Sequence, residues 1–368
     1  MTPLRRRSLL AAAVSLPWTG RTWPGEPADR VLTPRALVFP RDHGSHQDTR
    51  TEWWYLTGHA SDAAGREFGF QLTFFRSRVD GTEGLRSRLA ARQLVFAHAA
   101  ITDVQGESLW HEQRIGRWNG ETPAQAGAPV FAQSEDTDVA IRDWRIRRSA
   151  QGHYLAQARS DDLIIELEAT PTQPLLLQGD QGFSRKGPQL SQASFYVSEP
   201  QLKVRGVLGL RAGSFQVQGK AWLDHEWSES LLHPDAVGWD WMGMNLDDGG
   251  ALTAFRLRRA DGSALWAGGS YRAAGGDTRP FQAEEVAWTP LRHWVSPRTQ
   301  ARYPVEWNVR SPVGTFSVHS LVDAQELDAG ASTGTVYWEG LSDLRDSQGR
   351  RVGRGYLEMT GYTGRLVL

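Results

Sequence analysis

The chain has no cysteine, which excludes disulfides, thiolate metal sites and cysteine nucleophiles. Its stability must come from packing alone. It also lacks an excess of either charge: 41 Lys and Arg stand against 42 Asp and Glu in 368 residues, a formal net charge of -1. No basic surface therefore argues for nucleic acid or for anionic lipid. No apolar run approaches the roughly 20 residues that a membrane-spanning helix needs. Helical periodicity is scarce, with Glu83 to Arg92 the best candidate. The Gly-x-Ser-x-Gly elbow is missing, so serine hydrolase chemistry has little support.

What the chain does have is tryptophan, 16 of them against 4 methionines. Trp brings a large apolar area and an N–H that wants a partner. The tryptophans sit in segments of period two, such as Thr137 to Arg147 and Ser214 to Trp222. Glu67 to Arg76, Leu163 to Ala169, Gly250 to Leu257, Ala301 to Val309 and Thr315 to Val322 alternate in the same way. Turn pairs punctuate them: Asp80-Gly81, Asp248-Gly249, Asp261-Gly262 and Gly275-Gly276. Many short strands at regular spacing predict an all-β chain of barrels or sandwiches. The length suggests two domains, divided near the turn-like SESLLHPD of Ser228 to Asp235. The expected organisation is residues 31–229 and 230–368, each a β-barrel.

The first 30 residues read as a targeting segment. Arg5, Arg6 and Arg7 form a positive region before the short apolar stretch Leu9 to Leu16. Arg6-Arg7 followed by Ser8-Leu9-Leu10 resembles a twin-arginine export signal, which implies a periplasmic or secreted protein.

Four segments combine aromatics with charge. In RDHGSHQDTRTEWWYLTG (Arg41 to Gly58), Glu52 and Trp54 share one strand face while Trp53 and Tyr55 share the other. A Glu beside a Trp inside a barrel would be desolvated, with its pKa raised toward the working range of an acid. His43, His46 and Asp48 offer an alternative reading as metal ligands, at a spacing compatible with zinc but not diagnostic of it. No metal and no cofactor is expected on balance. In WLDHEW (Trp222 to Trp227), Asp224 and Glu226 share a face and His225 lies opposite with Trp227. In GWDWMGMNLDD (Gly238 to Asp248), Trp239, Trp241 and Gly243 share a face that leaves room for a flat apolar ligand. In GRGYLEMTGY (Gly353 to Tyr362), Tyr356, Glu358 and Thr360 line one face. For each segment, plain core packing is the competing explanation.

Taken in order, these segments resemble one family, the bacterial proteins similar to carotenoid 1,2-hydratase (hydroxyneurosporene synthase) and to AttH. The residues that carry the resemblance are TEWWYLTGH at Thr51 to His59, QGDQGFSRKGP at Gln178 to Pro188 and AWLDHEWS at Ala221 to Ser228. GWDWMGMNLDDG at Gly238 to Gly249, YWEG at Tyr337 to Gly340 and GRGYLEMTGY complete the set. The resemblance implies two lipocalin-like barrels in tandem and, in some members, hydration of an isoprenoid double bond. It assigns a role to His225 and Trp227; no Tyr-x-Asp follows in Asp247 to Leu257, a departure from the hydratase pattern.

Two readings follow. In the first the chain is a hydratase-like enzyme acting by acid/base chemistry on an isoprenoid or polyene-like substrate. Asp224 is then the candidate proton donor, His225 a base or orienting group and Glu52 an alternative carboxylate. Asp224 and His225 point oppositely on a regular strand, which opposes their acting in one cavity unless a bulge intervenes. In the second the chain carries a hydrophobic ligand without catalysis, with a membrane surface or a transport system as a further candidate partner. Trp53, Trp54, Tyr55, Trp222, Trp227, Trp239, Trp241 and Tyr356 are the expected ligand contacts in both. Whether the ligand lies inside one barrel or between the two is left open by the sequence.

Overall fold

The structure is a computed structural model that describes residues 31–365, apart from 83, 86, 88, 89, 122–128 and 231. The expected export signal over residues 1–30 lies outside the described residues, as does part of the helix candidate Glu83 to Arg92. The described chain is almost wholly strand, with two single-turn helical segments, and every strand pairing is antiparallel.

The first sheet has 13 strands. Its central members are Gln93–Asp103, Glu67–Arg78, Thr51–Ser61, Gly213–Ser228 and Ala193–Leu210, side by side in that order. The edge strand Ser108–Trp118 comes round to touch Val130–Ala132 and Asp138–Ile141. A Cβ on Gly116 would strike the Val130 side chain, so the sheet closes almost completely into a barrel. Its interior is filled by Trp54, Leu56, Phe68, Phe70, Leu72, Phe74, Trp144 and Tyr154, among others. The expected strand Thr137 to Arg147 is two strands, Asp138–Ile141 and Trp144–Arg148. Arg142 takes a φ of 58° and reverses the chain between them.

The chain passes into the second sheet between Ser228 and Ala236. This sheet has 10 strands, with Ala251–Arg259, Ala236–Leu246, Arg351–Met359 and Thr335–Arg345 adjacent in that order. Its own core holds Met242, Met244, Trp307, Trp338, Leu357 and Met359. The expected turns at Gly81, Gly249, Gly262 and Gly275 all fall at positive φ, where glycine carries no Cβ penalty.

The outer faces of the two sheets pack on each other. Tyr55 and Trp222 from the first sheet meet Trp241, Phe255, Leu341 and Tyr356 from the second. Polar links pin the seam. Asn245 donates to the Ala221 carbonyl at 3.0 Å, Gln201 to the carbonyls of Leu246 and Gly250 at 2.8 and 2.7 Å, and Arg354 pairs with Glu67 at 2.6 Å. The bonds of Asn245 and Gln201 satisfy groups that would otherwise be buried without a partner.

Candidate functional site

Between the sheets lies a cavity of about 270 Å³, near the lower end of small-molecule sites. It lies at the seam, whereas the interior of the first barrel and the inner face of the second sheet are packed cores.

Strand alternation decides which side chains reach it. On Thr51–Ser61, Trp53 and Tyr55 face the seam. Across the ladder they sit opposite Glu226 and Asp224. Phe75 and Phe96 extend the same wall. The second sheet contributes Trp239, Trp241, Phe255, Leu257, Tyr337, Glu339 and Glu358. The wall is rich in aromatic rings, with the carboxyl groups of Asp224, Glu226, Glu339 and Glu358 and the lysine Lys186 set into it; Glu52 and Arg76 also line it.

Asp224 is 3% exposed and accepts three hydrogen bonds: from the Ser198 hydroxyl at 2.5 Å, Trp222 Nε1 at 2.7 Å and the Tyr196 hydroxyl at 2.7 Å. Trp241 Nε1 donates in turn to the Tyr196 oxygen at 3.0 Å. Burial pushes the Asp224 carboxyl up to about 7, against the three donors that favour its charge. Glu339 and Glu358 are direct cross-strand neighbours. Burial and the charge of Glu358 hold Glu339 well above the usual carboxylate range, and burial raises Glu358 to about 8. Two carboxyls side by side in an apolar wall cannot both ionise cheaply. Gln71 Nε2 donates to one oxygen of Glu339 at 2.6 Å. The other oxygen, Oε1, has no partner, and neither has the Tyr55 hydroxyl. Burial first, and then the nearby Glu339 carboxyl, raise the Tyr55 hydroxyl; the two groups are neighbours without the geometry of a full hydrogen bond.

Glu226 is paired with Lys186, whose Nζ lies 3.0 Å away. The same ammonium sits 4.5 Å from the ring centroid of Tyr196 and 4.4 Å from that of Phe255. His98 is held by the Tyr337 hydroxyl at 2.7 Å and Ser332 at 2.8 Å, and burial pushes it down to about 3, so it is neutral.

The functional groups of several expected site residues are engaged away from the cavity, although Glu52 itself borders it. Glu52, His225, Trp54 and Trp227 belong to the opposite face of their strands. Glu52 has a side chain with no exposure, bound to Arg76 Nε and the Ser45 hydroxyl at 2.8 Å, to His46 Nδ1 at 2.8 Å and to His225 Nε2 at 3.0 Å. Burial pushes Glu52 upward, but Arg76, His225 and His46 outweigh it and hold the carboxyl well below its ordinary range. The expected rise is therefore reversed: a guanidinium is in direct contact, which the local sequence did not reveal. His225 is stacked on Trp54 at 4.8 Å, and burial lowers its pKa despite Glu52. No bulge brings it round to Asp224, and the objection from strand geometry stands. Trp54 and Trp227 are packing residues, the first donating to the His43 carbonyl and the second stacked on His46 at 3.7 Å. Trp222 is spent on holding Asp224, and Tyr356 lies in the inter-sheet packing. The room expected above Gly243 is filled by the ring edges of Trp241 and Trp222.

His43 turns away toward Tyr154 and Glu199. Among the described residues, the group with metal-compatible spacing is His46, Glu52 and His225. Its contacts are hydrogen-bond lengths, and Arg76 is already seated on the carboxylate. A cation there would meet a guanidinium at close range, so the donor set fits a hydrogen-bonded network better than a metal.

The sequence flagged Glu358 without giving it a role. Glu339 and Lys186 lie in segments that carried the family resemblance, but neither was weighed. The available signal was a carboxylate set between Trp338 and Gly340. Phe75, Phe96, His98 and Phe255 sit in ordinary alternating strands and gave none.

The AttH-like family model matches residues 30–362. The crystal structure of an AttH protein from Nitrosomonas europaea is 44% identical to this chain, with a TM-score of 0.82 over 90% of this chain and 99% of that one. Kievitone hydratase from Nectria haematococca shares the fold at 13% identity, with a TM-score of 0.67 over 92% and 94% of the two chains. No curated protein sequence matches the chain.

Proposed function

The chain belongs to the AttH-like family, and from that footing we propose that it hydrates a carbon–carbon double bond of an apolar, isoprenoid or polyene-like substrate. One observation carries the reading. Two carboxyls with different surroundings, the half-buried Glu358 on the second sheet and the buried Asp224 on the first, line the same aromatic cavity. Glu358 has no charged or hydroxyl donor to hold its anion and keeps its proton to about 8. Asp224 has three donors arranged around an anion. Glu358 is the acid and Asp224 the base.

In the forward direction the Glu358 proton is added to one alkene carbon, leaving the positive charge on the more substituted one. The faces of Trp53, Trp239 and Trp241 stabilise that charge by on the order of 1 to 2 kcal/mol each when desolvated. A water oxygen bonds to the cationic carbon and its proton passes to Asp224. One water is consumed, and exchange with solvent returns Asp224 and Glu358 to their starting states.

Turnover is expected to rise as pH passes about 7 and Asp224 ionises, and to fall above about 8 as Glu358 loses its proton. Asp224→Asn removes the acidic limb and lowers turnover roughly 100-fold or more, with ligand affinity kept within a few-fold. The assay is incubation with isoprenoid alkenes in heavy-oxygen water, read by mass spectrometry. Retention of the alkene through purification without incorporation of label would replace this reading by that of a carrier.

We also propose that the chain is exported, on the strength of Arg6-Arg7 ahead of a short apolar stretch. Replacing both with Lys should leave the protein in the cytoplasmic fraction; unchanged secretion would rule out the twin-arginine route.

A further inference from the structure

We infer that the seam cavity is a cation-recognition site, which binds an apolar molecule bearing an ammonium group in preference to the same molecule bearing a hydroxyl or a carboxylate. The inference deepens the hydration reading, because a carbocation and an ammonium ask for the same surroundings. The observations that carry it are nevertheless separate from any reaction.

The first is an internal precedent. Lys186 is an ammonium already bound in this wall, 8% exposed, between the rings of Tyr196 and Phe255 with the Glu226 carboxylate at 3.0 Å. Ring faces and one carboxylate therefore suffice here to hold a buried positive charge. The second is that the same chemistry recurs in the cavity with no side chain to fill it. Glu339 is 2% exposed and Tyr55 6% exposed, both line the cavity, and Glu339 Oε1 and the Tyr55 hydroxyl have no partner. Buried polar atoms are ordinarily satisfied, so this pair points to a group supplied from outside the chain. Trp239 and Trp241 line the same space. The third is the polar lining. Asp224, Glu226, Glu339 and Glu358 face the space, and the two cations that line it, Lys186 and Arg76, are both engaged. An ammonium lets a protonated carboxyl beside it ionise, whereas an anionic head group would meet the Glu226 carboxylate and find no free cation to receive it.

The test is calorimetric titration of the purified protein with three molecules of one chain length: dimethyldecylamine, decanol and decanoate. The amine is expected to bind roughly tenfold or more tightly than decanol, with decanoate weakest. Glu339→Gln should bring the amine to within about threefold of decanol, while decanol binding persists and shows that the fold is intact. If the variant loses decanol as well, the ranking on the wild-type protein decides alone. Decanol or decanoate binding as tightly as the amine would overturn the inference, as would an amine preference that survives in Glu339→Gln. Amine preference without hydration of any alkene would leave it standing and remove the hydratase reading. Hydration without amine preference would do the reverse.

Discussion

Glu358→Gln should lower turnover by on the order of 100- to 1,000-fold and at the same time make the protein harder to unfold at alkaline pH. The loss follows from removing the carboxyl proposed as the acid, which faces the cavity with its proton retained to about 8. The gain follows from linkage. An unfolded Glu releases its proton near pH 4.3, whereas the folded one holds it to about 8. Between those values the folded state binds more protons than the unfolded one, so raising the pH destabilises the fold until the folded carboxyl has also ionised. Glutamine has no proton to lose and escapes that penalty. The advantage is on the order of 2 kcal/mol above pH 8 and vanishes below pH 4. The full shift would correspond to about 5 kcal/mol, but Glu358 is only half-buried and the cavity it faces is partly open to solvent, so screening reduces the effect. Calorimetric melting of both proteins across the pH range checks the stability half. Equal melting at every pH would mean that Glu358 titrates normally, and turnover left intact would remove it as the acid.

Arg76→Ala is expected to have the largest effect on stability of any single change. Arg76 is 1% exposed, in the first barrel, and every polar atom of its guanidinium is used. Nε meets Glu52 at 2.8 Å, Nη1 meets the Thr49 carbonyl and Gln93 at 3.0 and 2.8 Å, and Nη2 meets the His46 carbonyl and the Thr49 hydroxyl at 2.9 Å. Its removal leaves the Glu52 anion without its cation, and takes the donor from the Thr49 carbonyl and from the Gln93 side-chain oxygen besides. Breaking a buried pair in this way costs about 3 to 5 kcal/mol, a large share of the stability of an ordinary domain. Arg76→Ala with Glu52→Gln should be less damaging than the sum of the two single changes, because the uncompensated charge is then gone. Urea titration of the three variants measures this. A cost below about 1 kcal/mol for Arg76→Ala would show that the network is solvated rather than closed.

Much of the fold was legible because a strand exposes its periodicity directly. Alternation marked Glu67–Arg78 and Leu163–Thr170 to within two residues, and Asp-Gly and Gly-Gly pairs marked the turns. What alternation cannot say is which of the two faces looks where. Glu52 with Trp54, and Trp53 with Tyr55, were separated correctly, but both faces are buried, one in a barrel and one in the seam. Nothing local distinguishes those two interiors. The same ambiguity put His225 beside Asp224 as a site residue, although it belongs to a charge network closed by Arg76, a residue of another strand. The paired carboxyls were hidden for a related reason: Glu339 and Glu358 are 19 positions apart, and only the register of two strands makes them neighbours.

The placement of the cavity has an evolutionary corollary. Two hydrophobic cores, one per sheet, are insulated from the cavity by the thickness of a strand layer. Substitutions at Trp53, Phe75, Trp239, Phe255 or Leu257 alter the shape of the pocket without removing a side chain from either core. A lineage can therefore vary the seam while the packing inside each sheet is kept. Selectivity and foldability are mutable separately, a form of modularity that a pocket carved from the middle of one barrel would not possess.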